Sequence, residues 1–425
     1  MRHFYTRIEG WCSYRYLYER AVKRAPITPS RFVEVGSWRG KSSAFMAVEI
    51  ANSRKPIEFF CVDTWKGSPE HQDDPLVKKD QLFEDFLKNT HPVSKLIKPI
   101  RGLSVEVAAT FEDASLDFIC IDAAHDYTNV LADLKAWWPK LRPGGMMIGD
   151  DFNKEGVRKA VEEFFREQDL PYIRHVRPMK NELRERHWEA IKPLPADIFA
   201  YGTVFSKRPT HTIGESLASA DTAGFTNPYF ALRNGLDAPA FSYPHTVVLT
   251  QGEAQSVTVT YLRLLLELVS SFPDASYYIL AEDDITWAPD SAYALWRELE
   301  WLANSFHPVG IYSPYLSSKQ AELSPPPACP TWFNNAEQGW EQFGGQCYIL
   351  PVDAAHTLLA GRGQFLLQIA QYPKAKDRIF GAWCAHNNFA FLYRHPSLLH
   401  HRLGSENSSL DHKKPRDAAL FLGHP

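Results

Sequence analysis

The stretch FVEVGSWRGKSSAFMA, residues 32–47, decides the fold of the first half of the chain. An apolar run that carries Glu34 ends in a turn containing Gly36 and Gly40, and a helix-like segment begins directly afterwards. Glycines in such a turn permit positive φ and let backbone N–H groups approach a ligand closely. The stretch therefore predicts a strand, a tight turn and a helix start that bind a nucleotide-like ligand. Packing of a strand on a helix without any ligand is the alternative.

Apolar strands and amphipathic helices alternate after this stretch, and polar residues follow the strands. In an open parallel sheet ligands bind at the carboxyl ends of the strands, and an acid after the second strand can accept hydrogen bonds from both ribose hydroxyls. The alternation predicts a doubly wound α/β domain, in which Asp63 either binds a ligand or caps a turn. The strands and the residues that follow them are IEFFCV (57–62) with Asp63, KLIKPIRG (95–102) with Ser104, LDFICI (116–121) with Asp122, and MMIG (146–149) with Asp150 and Asp151.

Three aspartates, Asp122, Asp150 and Asp151, follow neighbouring strands and are therefore expected side by side. Carboxylates brought together repel one another unless a cation bridges them, and an oxygen-only set suits Mg²⁺. His125 is a candidate general base, because an imidazole titrates near neutrality. Two helix caps and a turn are the alternative for the acids, and a structural role is the alternative for the histidine.

Taken together, these motifs resemble class I S-adenosylmethionine-dependent methyltransferases. More narrowly, they are similar to the metal-dependent O-methyltransferases that act on sugars of macrolides and related natural products, and to the catechol type. We expect a closing hairpin at residues 172–206, with DIFAYGTVFSK as the last strand of the domain. The likeness covers residues 30–165 and rests on Glu34, Gly36, Gly40, Asp63, Gly102, Ser104, IDAAH at 121–125, LRPGG at 141–145 and Asp150-Asp151.

The resemblance implies a cofactor site and a metal site. Asp122, Asp150 and Asp151 would hold Mg²⁺ or Mn²⁺, which lowers the pKa of the acceptor hydroxyl so that its oxygen can attack the sulfonium methyl group. His125 would be the catalytic base. The implied cofactor-binding residues are Glu34, Gly36, Ser37, Gly40, Asp63, Ser104 and Asp122, of which Gly36, Ser37 and Gly40 face the methionine end, Asp63 the ribose and Ser104 the adenine surroundings.

The composition argues against several functions and locations. The formal net charge is −4, and no Lys/Arg run with interleaved aromatic residues offers a surface for nucleic acid. The 6 cysteines show no CxxC spacing, which is typical of free buried thiols in a reducing compartment and not of a zinc site. No run of about 18 apolar residues is present, so we expect no transmembrane segment and a cytoplasmic location.

The chain of 425 residues is longer than the roughly 250–300 at which a single core stops growing, which predicts two domains. Between residues 207 and 244 the periodicity fades, while Phe and Tyr persist among Pro, Gly, Ser and Asn. Such a composition is typical of an ordered crossing. We therefore expect a methyltransferase domain at 1–208, an ordered linker at 209–244 and a second domain at 245–425. The sequence leaves an oligomer open.

In the second half, the apolar segment ASYYIL (275–280) leads into Glu282, Asp283 and Asp284. Three acids at the end of a buried strand need compensation, and a divalent cation that bridges a diphosphate supplies it. A charged surface turn is the alternative. Further along the chain lie a Gly-Gly-Gln strand start at 344–346, a helix led by Asp377 and the loop HPSLLHHRLGSENSSL at 395–410.

This order of motifs resembles the GT-A fold of nucleotide-sugar glycosyltransferases, in particular enzymes with an EDD triplet such as the N-acetylglucosaminyltransferase IV type. The resemblance implies that Glu282 and Asp283 face the ribose and the donor sugar and that Asp284 ligates a divalent metal ion. Asp377 would deprotonate the acceptor in an inverting displacement. His401 or His400 would complete the metal or diphosphate site.

The sequence as a whole predicts a bifunctional enzyme. A doubly wound, Rossmann-like S-adenosylmethionine-dependent O-methyltransferase precedes a GT-A type α/β glycosyltransferase, and both act on a glycan or glycoconjugate, with a nucleotide sugar as the second donor. The alternative is a methyltransferase whose second domain only binds carbohydrate. A third reading is a methyltransferase for a small phenol or catechol.

Overall fold

The computed structural model describes residues 1–68, 71–179, 182–207, 212–225, 228–304, 308–315, 331–334, 346–371 and 376–401. The chain divides into two compact units, Met1–Leu194 and Pro195–Pro425. Among the helices that the structure describes, none is long and apolar enough to cross a bilayer. The cysteines within the described ranges are all free and buried, as expected; Cys329 lies outside those ranges.

A seven-stranded sheet forms the first unit, in the order β3-β2-β1-β4-β5-β7-β6. Strands β1 to β5 run parallel, whereas β7 runs antiparallel to both β5 and β6. The strands are β1 Ser30–Val35, β2 Ile57–Asp63, β3 Ile97–Arg101, β4 Leu116–Ile121, β5 Leu141–Gly149, β6 Ile173–Met179 and β7 Glu182–Ile191. The doubly wound sheet predicted from the sequence is therefore present.

Helices cover both faces of this sheet. They are α1 Arg15–Arg24, α2 Lys41–Ser53, α3 Pro75–Lys78, α4 Leu82–Thr90, α5 Ser104–Ala108, α6 Tyr127–Trp137 and α7 Glu155–Glu167, with short 3-10 turns at Tyr5–Arg7, His91–Val93 and Trp138–Lys140. Neighbouring residues of one strand enter opposite cores: Phe32 and Phe118 pack in one cluster, whereas Val33 and Ile119 pack in the other. Because both faces are covered, every residue of β4 is buried.

An eight-stranded sheet forms the second unit, in the order β10-β9-β8-β11-β15-β13-β16-β14. Strands β14 and β15 are antiparallel to their neighbours, and the other neighbouring strands of this sheet pair in parallel. The strands are β8 Phe199–Ser206, β9 Tyr229–Asn234, β10 Thr246–Gln251, β11 Tyr277–Glu282, β13 Val309–Ser313, β14 Thr331–Asn334, β15 Cys347–Pro351 and β16 Ala390–His395, and a separate pair comprises β12 Ile285–Trp287 and β17 Leu399–His401.

The helices that the structure describes in this unit are α8 Ile213–Ala223, α9 Val257–Ser271, α10 Ser291–Ala303, α11 Val352–Ala360, α12 Arg362–Gln371 and α13 Lys376–His386. Four of them, α9, α11, α12 and α13, contribute to one core on the larger sheet. That core includes residues of β8, β9, β11, β13, β15 and β16, so the sheet is buried along most of its width.

The boundaries between the units differ from those predicted. The segment DIFAYGTVFSK does not close the first sheet, because β8 lies between β9 and β11 in the second sheet. The closing hairpin of the first unit is instead β6–β7, which ends at Ile191. Residues 209–244, expected to be a linker, contain α8 and β9, and Phe230 and Leu232 of β9 lie in the second core. A strand that is buried on both faces has the same apolar composition in either sheet. Local composition therefore could not show to which of the two sheets β8 belongs.

A buried ion pair joins β16 to α10. Arg394 Nε donates to Glu298 Oε2 at 2.6 Å and Arg394 Nη2 to Glu298 Oε1 at 2.7 Å, and both side chains are fully buried. Trp332 Nε1 donates to the same carboxylate at 2.7 Å. A carboxylate out of water needs such partners, since burying an unpaired charge is far more costly than burying a bonded one.

Replacing the guanidinium tests this dependence. Arg394→Met keeps an apolar stem but leaves the Glu298 carboxylate without a counter-charge, so we expect it to lower the free energy of unfolding by about 3–5 kcal/mol. Urea unfolding followed by tryptophan fluorescence measures the loss. The control is Lys207→Met, since Lys207 pairs with Asp237 in solvent and should change stability little. Equal stabilities of the two variants would show that the buried pair is dispensable.

Candidate functional site

The turn after β1 lies directly against the turn after β4. The N–H of Gly36 donates to the carbonyl of Val62 at 2.8 Å, and the N–H of Asp122 donates to the carbonyl of Val35 at 2.9 Å. Gly36 has φ +94°, and a Cβ built on it would lie 2.0 Å from the carbonyl oxygen of Asp122. Only glycine fits there. The strand order reverses between β1 and β4, so this is the topological switch point at which open α/β sheets bind ligands.

A cleft of about 440 Å³ opens at this edge of the sheet. It brings together most residues that the sequence predicted for the cofactor and metal sites, namely Gly36, Ser37, Asp63, Ser104, Asp122, His125, Asp150 and Asp151. Two predicted residues do not line it. Gly40 directly precedes α2 as its N-cap with φ +84°, and a Cβ there would lie 2.6 Å from Thr90 Cγ2, so a side chain at this position would clash. Glu34 is the second.

Glu34 is the other predicted residue that does not line the cleft. It is fully buried beneath the turn, where Tyr18 Oη donates to Glu34 Oε2 at 2.6 Å and Ser43 Oγ donates to Glu34 Oε1. Burial raises the pKa of Glu34, and the hydrogen bonds from Ser43 and Tyr18 oppose that rise. In the structure Glu34 therefore connects β1 to α1 and α2 and does not face the cleft.

Asp63, at the end of β2, shapes the wall of the cleft. Its Oδ2 accepts from the N–H of Trp38 at 2.8 Å, and its Oδ1 accepts from the N–H of Trp65 at 2.8 Å. Burial raises the pKa of Asp63, and the backbone donors oppose that rise. Each carboxylate oxygen can accept more than one hydrogen bond, so a ligand hydroxyl can still bind to this group.

Ser104, the first residue of α5, lies at a different wall. Trp137 Nε1 donates to Ser104 Oγ at 2.8 Å. Burial raises the pKa of the neighbouring Asp133 to about 6, although a hydrogen bond with Ser104 lowers it. Ser104 therefore links the wall of the cleft to the indole N–H of Trp137 and the carboxyl group of Asp133 in α6.

An acid and imidazole cluster lies at the ends of β4 and β5. Asp122, His125 and Asp151 each offer a ligand atom, and these atoms all lie within 4.8 Å of one another. His125 Nε2 is 3.0 Å from Asp151 Oδ2, and Lys154 Nζ is 3.1 Å from the same oxygen. This set has the size and donor types of a site for one divalent cation.

The two carboxyl groups of the cluster have opposite electrostatic surroundings. Burial and the nearby charge of Asp150 raise the pKa of Asp122 well above its ordinary value, although Tyr14 Oη donates to it at 2.7 Å. At Asp151 burial opposes ionisation, but His125 and Lys154 lower the pKa to about 2. Asp151 is therefore an anion at neutral pH. At Asp122 a nearby positive charge would favour the ionised form of the carboxyl group, which burial and Asp150 disfavour.

Asp150 is held by several hydrogen bonds and ion pairs. Its Oδ1 accepts from the N–H of Asp151 at 2.7 Å and from Arg186 Nε at 3.2 Å, and Ser13 Oγ donates to Oδ2 at 3.1 Å. His187 Nε2 lies 3.3 Å from the same Oδ1. The sequence grouped Asp150 with Asp122 and Asp151, but the three donor atoms that the structure brings within reach of one ion include His125 in place of Asp150.

Sequence reasoning missed the N-terminal wall of the cleft. Gly10 and Trp11 line it, and Trp38 and His71 lie close together near them with their rings 4.4 Å apart. The side chain of Trp11 is 64% exposed, which is unusual for tryptophan. The aromatic residues of MRHFYTRIEGWCSYRYLYER were the available signal, but no periodicity connected them to the glycine turn.

In the second unit, the acidic triplet occupies the corresponding place in its own sheet. The strand order reverses between β8 and β11, and Glu282 ends β11 there. Asp283 and Asp284 follow and are buried, while Thr212 Oγ1 donates to the carbonyl of Asp283 at 2.9 Å. The triplet thus lies at a topological switch point too.

The remaining predicted residues of this unit are described only in part. Strand β17 pairs with β12, which places His401 opposite Ile285 and His400 opposite Thr286, directly after the triplet. Asp377 lies in α13. The side chains of Asp377 and His401, the Gly-Gly pair at 344–345 and residues 402–410 lie outside the described residues.

Comparison with known proteins relates the first unit to methyl transfer. The family model described as "Methyltransferase domain" matches residues 33–152. An uncharacterised protein, y4gI, of Sinorhizobium fredii is 28% identical over 125 residues, which are 29% of this chain and 13% of that protein. The chain therefore matches only 13% of the length of this curated relative.

Solved structures of methyltransferases were also found. The O-methyltransferase NovP is 16% identical, with 42% of this chain and 79% of NovP covered at a TM-score of 0.34. The O-methyltransferase from Bacillus cereus in complex with S-adenosylhomocysteine is 15% identical, with 43% and 83% covered at a TM-score of 0.31. The family model matches residues 33–152, which lie within the first unit, and does not extend to the second unit.

The close approach at Gly36 can be tested by adding one methyl group. Gly36→Ala puts a Cβ against the Asp122 carbonyl in a left-handed backbone conformation, so we expect it to lower the free energy of unfolding by about 2 kcal/mol or more. Urea unfolding measures the change. The control is Gly252→Ala, because a Cβ there meets nothing within 4 Å. Tolerance of both substitutions would contradict the close contact.

Proposed function

We propose, from the methyltransferase domain at residues 33–152, that the first unit transfers a methyl group from S-adenosylmethionine to a hydroxyl oxygen with the help of a divalent cation. The observation that carries the proposal is that one cleft contains the Gly36 turn, the Asp63 acceptor and the Asp122–His125–Asp151 cluster. A donor site and a site that activates a hydroxyl then lie beside each other, as a direct transfer requires.

The wall formed by the strand ends suits S-adenosylmethionine. The glycine turn permits close approach of the methionine end, Asp63 offers carboxylate oxygens to ribose hydroxyls, and Ser104 lies where the adenine would bind. When bound, the cofactor supplies a methyl group on a sulfonium centre that an oxygen nucleophile can attack. Trp38 and Asp63 fix each other through the 2.8 Å hydrogen bond, so this wall is pre-organised.

Asp122, Asp151 and His125 suit a divalent cation. Two carboxylates and one imidazole favour Mn²⁺ or a similar ion over a purely oxygen-ligated Mg²⁺. Such an ion would lower the pKa of a bound acceptor hydroxyl. Asp150, held by Arg186 and the N–H of Asp151, would orient the neighbouring ligand residue from behind.

His125 can serve the reaction in one of two ways. As a third ligand it would raise the affinity for the cation. As a general base it would take the acceptor proton, and Asp151, 3.0 Å away, would stabilise the imidazolium that results. The two roles differ in their effect on metal affinity, which the experiment below measures.

A sugar hydroxyl is the acceptor we favour. The exposed ring of Trp11, with Trp38 and His71 in the same cleft, offers apolar faces for a pyranose, and a phenol or catechol ring is the alternative on the same surface.

For the second unit we propose glycosyl transfer from a nucleotide sugar, with Glu282 and Asp283 toward the donor and Asp284 on a divalent metal ion. The supporting observation is that the triplet begins at the last residue of β11, at the switch point of an eight-stranded sheet. In this proposal Asp377 is the base and His401 or His400 completes the metal site. The protein would then both extend and methylate a glycan; the alternative is that the second unit only binds carbohydrate.

Two substitutions separate cofactor binding from hydroxyl activation. Asp63→Asn should weaken S-adenosylhomocysteine binding about tenfold, because a charged acceptor becomes neutral. Asp151→Asn should leave that affinity within about twofold but lower Mn²⁺ affinity and methyl transfer, the latter by about 100-fold. Calorimetry and radiolabelled methyl transfer to a panel of sugars and catechols measure these effects. His125→Gln should lower Mn²⁺ affinity only if His125 is a ligand.

The matched control is Asp126→Asn. Asp126 caps α6 by accepting from the N–H of Asn129 at 3.1 Å, does not line the cleft, and can be replaced by asparagine at a helix cap. No binding of S-adenosylhomocysteine by the wild-type protein, or a loss of methyl transfer in the control equal to that of Asp151→Asn, would refute the proposal for the first unit.

The second proposal is tested with Mn²⁺ and a panel of nucleotide sugars, by measuring nucleotide diphosphate release in the presence of glycan acceptors. Asp284→Asn should abolish release while methyl transfer is retained, because the metal loses a carboxylate ligand. Asp290→Asn, before α10, is the control. If wild-type protein releases no nucleotide diphosphate with any donor of the panel, glycosyl transfer by the second unit is refuted and the carbohydrate-binding alternative is retained.

A further inference from the structure

A second cavity, of about 450 Å³, opens beside the cleft in the first unit. Its walls come from the N-terminal segment, from the first residues of α1 and α2, and from β7, and they include Arg15, Lys41, Arg186, Thr6 and Ser13. Lys41 and Arg186 line the cleft as well, so the two cavities share a wall.

This second cavity is strongly basic. Among the described residues, its lining includes Arg15, Lys41 and Arg186 but neither Asp nor Glu. Arg186 is partly compensated, since its Nε donates to Asp150 in the cleft. Arg15 donates to the hydroxyl of Tyr5 and lies over the Tyr5 ring, and Lys41 Nζ donates to the carbonyl of Gly10 at 2.9 Å. Among the described residues, neither cation therefore has a carboxylate partner.

Two cations of this cavity lie at helix starts, where a positive charge destabilises the helix. Arg15 is the first residue of α1 and Lys41 the first residue of α2, and neither helix has an acidic residue in its first turn. The amino end of a helix carries a partial positive charge, so a cation there is disfavoured and an anion is favoured. Two cations and two helix starts therefore lie around one cavity, an arrangement that helix stability does not explain.

We propose that this cavity binds an anionic group, a carboxylate or a phosphate, of the acceptor, so that the compound methylated in the cleft is a hydroxylated acid. The proposal rests on methyl transfer in the first unit. Arg186 lines both cavities, so an acceptor can place its anionic group among Arg15, Lys41 and Arg186 and its hydroxyl at the acid and imidazole cluster. The hydroxyl of Thr6 adds a further donor to the anion.

Matched ligands that differ only in charge test this. The full-length protein is saturated with S-adenosylhomocysteine and Mn²⁺ and titrated by calorimetry with glucuronate, glucose 6-phosphate and glucose, and with 3,4-dihydroxybenzoate and catechol. At least one anionic ligand should bind about tenfold more tightly than its neutral partner, and the advantage should shrink in high salt. Comparison of glucuronate with glucose 6-phosphate distinguishes carboxylate from phosphate.

Arg15 supplies the variant, because it lines the second cavity and not the cleft. Arg15→Gln should weaken the anionic ligand about fivefold to tenfold and leave the affinities for its neutral partner and for S-adenosylhomocysteine unchanged. Lys159→Gln, on the surface of α7 and paired with Glu155, is the matched control. Equal binding of charged and neutral partners, or equal effects of the two variants, would overturn the proposal.

The outcomes separate this inference from the function on which it rests. If S-adenosylhomocysteine binds and the anionic preference is missing, the basic cavity is not an acceptor site and the proposal for the cleft is unaffected. If S-adenosylhomocysteine does not bind at all, methyl transfer itself fails, and the acceptor proposal fails with it.

Discussion

The first unit depends on the contact between the turns after β1 and β4. Gly36 and the carbonyl of Asp122 are so close that no side chain fits between them, and the backbone bonds from Gly36 to β2 and from Asp122 to β1 keep the three strand ends together. Because the strand ends lie together, Asp63, Asp122 and His125 all line the same cleft. A steric requirement on one residue therefore determines where the polar side chains of the site lie.

Burying several acids at such a place is costly, and the N-terminal segment offsets much of that cost. Ser13 donates to Asp150, Tyr14 to Asp122 and Tyr18 to Glu34. These acids lie on or directly after β5, β4 and β1, so one short stretch of chain satisfies three of them. Burial keeps the pKa of the Tyr14 and Tyr18 hydroxyls high, so both remain protonated donors at neutral pH. The segment that covers the cleft is thus also part of its electrostatics.

Much of this could be predicted from the sequence, because local patterns specify elements and their ends. The extent of β4 follows from an apolar run bounded by turn residues, and the strand-end acids follow from the rule that parallel strands share a ligand edge. The choice of His125 over Asp150 in the cluster could not, because it depends on side-chain direction: both turns lie at the same edge, but Asp150 points to Arg186 and His187. The N-terminal wall was missed because its contacts are far apart in sequence.

The unit boundary illustrates the same limit. The sequence assigned the segment of β8 to the first domain, although its pairing places it in the second sheet. With β8 and β9 in the second sheet, β11 has parallel strands beside it, and Glu282 lies at a reversal of strand order instead of at the start of a domain. Each sheet then places its acids at its own switch point. Since that position concentrates strand ends and loops in any open α/β sheet, the two sites can arise from one geometric rule while their chemistry depends on different side chains.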